Sequence, residues 1–83
     1  MESLMTYDNE KIDEVVLALL YLTSFSEDQN IHRSWKGHDW KALNRLHEKG
    51  FIGDPKRKTK SVMFSDEGFQ KSRELFEKHF SIK

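Results

Sequence analysis

From Trp40 to Phe80 the chain reads as helix, strand, basic turn, strand and helix, and this order constrains the fold more than any other feature. Asp39 is placed to cap the first of these helices. Trp40, Leu43, Leu46 and His47 then recur at helical spacing, so a helix over Trp40 to Lys49 buries one stripe. Gly50 stops it, with Lys49 in the last turn, because only glycine enters the left-handed region cheaply. Phe51 and Ile52 begin a strand, Gly53-Asp54-Pro55 turns the chain, and Lys56, Arg57, Lys58 and Lys60 surround Thr59 in a charged loop. Ser61 to Phe64 returns as the second strand of a hairpin. Ser65 caps a closing helix whose Asp66 and Glu67 suit the positive end of its dipole, with Phe69, Leu75, Phe76 and Phe80 as its apolar side.

Upstream, Asp8 or Thr6 caps a first helix that runs to about Phe25. Ile12, Val15, Val16, Leu19, Leu20 and Phe25 give it one broad apolar face, widened by Leu17, Tyr21 and Leu22. A helix this apolar is either enclosed or meets another chain, and 83 residues leave little material to enclose it. A homodimer built from the first and last helices is therefore expected. Between the first helix and Asp39, Ser26 to His38 has room for one or two helical turns, around Gln29 to Trp35.

A chain of this length buries only roughly 60 to 65% of its unfolded surface, so a deep substrate cavity is not expected. It has no cysteine, which excludes disulfides and thiolate metal sites. The longest apolar run, Val15 to Leu22, is eight residues against the roughly 18 needed to span a bilayer, and a cytoplasmic protein without membrane attachment is expected. Net charge is zero, yet residues 1–31 carry one Lys against seven acids (−6) and residues 32–60 carry nine Lys or Arg against three acids (+6). A basic segment of this kind attracts polyanions.

Leu43 to Ile52 (LNRLHEKGFI) followed by Lys60 to Gly68 (KSVMFSDEG) resembles the recognition-helix-to-wing segment of winged-helix repressors, such as the multiple-antibiotic-resistance and phenolic-acid regulator families. Together with Ile12 to Thr23 (IDEVVLALLYLT) and the WKGHDW block at Trp35 to Trp40, these motifs also resemble a bacterial family of small, functionally uncharacterised winged-helix-like domains, over Tyr7 to Phe80. The fold class expected is mainly α with a small β-hairpin (α+β), a winged helix-turn-helix whose second helix is abbreviated. Residues 1–6 are expected as a tail and residues 7–83 as a single domain.

On this reading the protein binds double-stranded DNA and regulates transcription or DNA access. Lys41, Asn44, Arg45 and Glu48 lie opposite the buried stripe of the recognition helix, where Arg and Lys can address guanine and Asn adenine. Lys56, Arg57, Lys58 and Lys60 are the candidates for phosphate contact, and Arg33 and Lys36 can reach a phosphate beside the helix N-terminus. Trp35 and Trp40 are expected to anchor a short connection into the core rather than to stack on bases. His32, His38, His47 and His79 lack metal-ligand spacing, no nucleophile sits in a recognisable setting, and neither cofactor, metal nor catalysis is expected. The alternative is a protein-interaction module on the same scaffold, holding a partner by its apolar first helix or its tryptophan block.

Overall fold

The computed structural model describes residues 6–29 and 31–82. The expected N-terminal tail therefore lies, but for Thr6, outside the described residues. Helix α1 (Asn9–Leu22) starts at Asp8, whose carboxylate accepts a hydrogen bond from the Lys11 amide at 3.1 Å. It ends at Leu22, three residues before Phe25, and is capped by Thr23, whose amide and hydroxyl both turn back to the Leu19 carbonyl. Phe25 belongs instead to strand β1 (Ser24–Asp28), which pairs antiparallel with β2 (Ile31–Trp35).

The short helix expected around Gln29 to Trp35 is thus replaced by a β-hairpin, and the abbreviated second helix does not form there. The reason lies in the inner face of β2. Ser34 is fully buried, donates its hydroxyl to the Leu20 carbonyl at 2.7 Å and shares a 2.8 Å hydrogen bond with Thr23 Oγ1. A satisfied serine holds the central strand against α1 where a hydrophobic residue is usual. The outer face carries Phe25 opposite Arg33 opposite Met63, with Trp35 opposite Ser61, so the polarity of the alternation is inverted.

Helix α2 (Trp40–Glu48) begins at Asp39, which accepts from the Ala42 amide, and ends as expected at Gly50. There φ is +81°, the Gly50 amide reaches the His47 carbonyl and the Phe51 amide reaches that of Leu46. This paired closure satisfies the last carbonyls of the helix and turns Phe51 back towards the core. The expected hairpin beyond it contracts to a single bridge between Ile52 and Phe64, and strand β3 (Ser61–Met63) pairs with the free edge of β2 instead. The sheet order is β1-β2-β3.

Helix α3 (Asp66–Phe80) starts at Ser65, whose hydroxyl accepts from the Gly68 amide at 2.9 Å and donates to the Gly50 carbonyl at 2.7 Å. A Cβ built at Gly68 would stand 1.9 Å from the Phe51 carbonyl oxygen, so glycine is what lets α3 come this close to the chain leaving α2. Helix α3 runs antiparallel to α1, with Tyr21 against Phe69 and Phe76 at one end and Glu14 beside His79 at the other. Leu17, Leu20, Leu43, Leu46, Ile52, Val62, Phe64 and Leu75 meet at the centre. The result is a small α+β domain of three helices and one three-stranded antiparallel sheet. Among the described residues, no helix is long and apolar enough to cross a membrane.

Candidate nucleic-acid interface

The basic loop is built from backbone geometry and one lysine that is not part of it. Pro55 is buried, the Asp54 carboxylate accepts from the Lys56 amide at 2.9 Å, and Thr59 donates its hydroxyl to the Ser61 carbonyl at 2.7 Å. Lys36, at the end of β2, donates its ammonium to the Pro55 carbonyl at 2.8 Å and also to that of Arg57. Lys36 therefore serves the shape of the loop, where the sequence pointed to a phosphate contact.

Lys56, Arg57, Lys58 and Lys60 are all exposed, and among the described residues none of their side chains meets an acid. Elsewhere among the described residues Lys11, Lys41 and Lys71 are also exposed without an acid, but they are scattered over three helices, and other cations are paired. Arg45 and Lys49 close on Asp13, Lys49 reaches Glu10, Lys78 and His79 approach Glu14, and Arg73 pairs with Glu77. Glu10 and Asp13 of the acidic first segment thus fold against Arg45 and Lys49 of the basic second one. Uncompensated positive charge concentrates in the loop.

Of the four residues expected to read bases, Lys41, Asn44 and Glu48 keep to the outward side of α2, opposite Ala42, Leu43 and Leu46. Arg45 does not join them: its Nε lies 2.9 and 2.8 Å from the two carboxylate oxygens of buried Asp13. The hydrogen bond to Asp13, reinforced by that carboxylate's charge, holds the guanidinium above its ordinary pKa. Arg33 lies across the outer face of the sheet, donating Nε to Ser61 Oγ at 2.8 Å and Nη2 to the Ser61 carbonyl at 3.2 Å.

Two adjoining hollows connect these pieces. One, of about 360 Å³, lies beside the edge of β3 where Met63 accepts from the Gly53 amide, between Arg33, Met63, Arg57, Thr59 and His47. The other, of about 250 Å³, lies between α2 and the loop, lined by Asn44, Glu48 and Lys56. His47 and Asp54 line both, so the two hollows lie side by side between the outward side of α2, the loop and the outer face of the sheet.

The tryptophans depart from expectation. Trp35 is 54% and Trp40 53% exposed, so neither ring is an anchor in the core. Trp40 lies two helical turns before His47, on the side of α2 that lines the hollows. Trp35 stands on the outer face of the sheet against Phe25, ring centres 4.9 Å apart, and Met63 beside them is 45% exposed. The sequence placed Phe25 on the first helix and Met63 in the returning strand without marking either as a surface residue, and period-two spacing in Ser24-Phe25-Ser26 was the signal that could have placed Phe25 on a strand.

A protein of Sinorhizobium fredii (strain NBRC 101917 / NGR234), described as the uncharacterized protein y4hR, is 48% identical over 77 residues, covering 93% of this chain and 99% of its own length. No solved structure matches the chain. The model of a domain of unknown function, DUF6429, matches residues 8–82, from the cap of α1 to just beyond α3, and the chain belongs to that family.

Proposed function

We propose that the domain binds nucleic acid, with loop residues Lys56, Arg57, Lys58 and Lys60 on the phosphate backbone and the outward side of α2 beside it. The observation that carries this reading is the clustering of four exposed loop cations between residues 56 and 60, none of them paired with an acid among the described residues, whereas Arg45, Lys49, Arg73 and Lys78 are each paired. Unpaired charge on a shaped loop releases counterions when it meets a polyanion. The winged-helix resemblance supplies a duplex version, with α2 in the major groove, the loop as wing and transcriptional regulation as the outcome. Lys41 and Asn44 support that version, whereas the Arg45–Asp13 pair and the hairpin ahead of α2 remove two of its parts.

The test is fluorescence anisotropy of labelled oligonucleotides, duplex and single-stranded, titrated at several salt concentrations. Phosphate contact by the loop makes log affinity fall by about 0.7 to 0.9 per contacted phosphate per log unit of salt. Reversing Lys56, Arg57 and Lys58 to Glu abolishes it. Absence of binding at low salt refutes the reading.

A second reading, a protein-interaction module, is favoured by one observation. The outward side of α1 carries an open apolar hollow of about 410 Å³ lined by Tyr7, Ile12, Val15 and Val16, and Leu22 beyond it is 61% exposed. A second copy is the simplest occupant, joined through α1 and the end of α3, where Phe80 is 47% exposed. Such a dimer is compatible with nucleic-acid binding, because the stripe belongs to α1 and the loop to the β3 edge.

A further inference from the structure

We infer that the outer face of the sheet is a stacking platform for unpaired bases, and that the strand it takes is RNA. The inference rests on the loop reading above and goes beyond it by naming the ligand.

Three observations carry it. The rings of Phe25 and Trp35 lie side by side on neighbouring strands, tilted 34° to each other, and Trp35 is more than half exposed. An aromatic ring held on a rigid sheet costs little entropy to present, and every base has a face that stacks on it. The platform also adjoins the loop directly. Trp35 pairs with Ser61, and the next backbone hydrogen bond joins the Lys36 amide to the Lys60 carbonyl at 3.2 Å, so the last loop cation lies one residue pair from the ring. Cations beside stacking rings match a strand that offers phosphates and bare base faces together. A duplex hides those faces.

The hollow at the β3 edge also contains acceptors. Asp54 lines it, with one carboxylate oxygen accepting from the Lys56 amide, and so does Thr59, whose hydroxyl donates to the Ser61 carbonyl and keeps its oxygen as an acceptor. A deoxyribose backbone offers only acceptors to meet them. A ribose adds the 2′-hydroxyl, which can donate, and this selects RNA over DNA of the same sequence.

The experiment uses the full chain and a fluorescein-labelled 12-nucleotide oligouridine, with the deoxyuridine strand and an RNA duplex of equal length as comparators. Expected are tighter binding of the single-stranded RNA than of either comparator, quenching of Trp35 fluorescence in a Trp40→Phe background, and a loss of about 5- to 100-fold on Trp35→Ala. Trp35→Tyr restores most of that loss, which a purely structural role would not predict, and circular dichroism confirms that each variant folds. If the oligouridine binds with the expected salt slope but Trp35→Ala leaves affinity and fluorescence change untouched, the platform is refuted and the loop reading stands. Equal binding of the deoxyuridine strand overturns the choice of RNA. Binding of no oligonucleotide at low salt overturns both readings.

Discussion

Arg45 reaches from α2 to α1 and sets its Nε between the two carboxylate oxygens of Asp13, at 2.9 and 2.8 Å, on a residue that is only 2% exposed. Lys49, one turn further along α2, adds its ammonium at 3.3 Å. A buried carboxylate answered by two cations fixes how α2 sits on α1, and the rest of the site follows from that seating.

Asp13→Ala should therefore destabilise the fold by about 1.5 to 3 kcal/mol, the range for hydrogen bonds to a charged group. Urea denaturation checks the magnitude. Arg45→Ala should likewise lower the melting temperature while leaving oligonucleotide affinity nearly unchanged, the opposite of the loop charge reversals. A large affinity loss in folded Arg45→Ala would return Arg45 to the binding surface.

Gly68→Ala should be among the most damaging single substitutions, because the new methyl would stand 1.9 Å from a backbone oxygen that has nowhere to retreat. About 3 kcal/mol or more is expected, the upper end for overpacking. Gly37→Ala is the control, since nothing lies within 4 Å of the added carbon. Thermal melts of the two should separate clearly.

Burial holds the His38 pKa below its ordinary 6.5 by penalising the charged ring. Between the folded and unfolded values the unfolded chain binds more proton, so acid favours unfolding there. Stability should fall as pH drops through about 6.5 and level off below the folded pKa, and His38→Gln should flatten that part of the profile. Urea midpoints for both proteins between about pH 5 and 8 give the comparison.

Leu22→Asp should leave the fold intact, because the side chain is 61% exposed in the isolated chain. If a second copy covers the α1 stripe, the same substitution lowers the mass measured by sedimentation from dimer to monomer. A wild-type chain that sediments as a monomer at all concentrations removes the dimer.

Local signals that act through single residues were legible in the sequence. Asp39 and Ser65 cap α2 and α3, Asp8 caps α1, and Gly50 ends α2, because capping depends on a side chain and its neighbours within one turn. Of the sheet, β3 was legible in Ser61 to Phe64, whereas β1 and β2 were not. The central strand buries Ser34 and displays Trp35, so hydrophobicity pointed the wrong way, and the bond that satisfies Ser34 comes from α1, distant in sequence. The loop cations were identified as a group, but composition could not tell Arg45, which meets Asp13, from Lys41, which remains exposed. Which cations stay free is decided by tertiary pairing alone.

Because the ammonium of Lys36 grips the carbonyls of Pro55 and Arg57, the curvature of the loop is written in a residue outside it and in backbone atoms that every sequence possesses. Form and charge are thus separate inheritances at this site. Relatives can exchange the side chains at 56, 57, 58 and 60, and with them the charge the loop presents, without redrawing the loop, so long as a lysine waits at the end of β2.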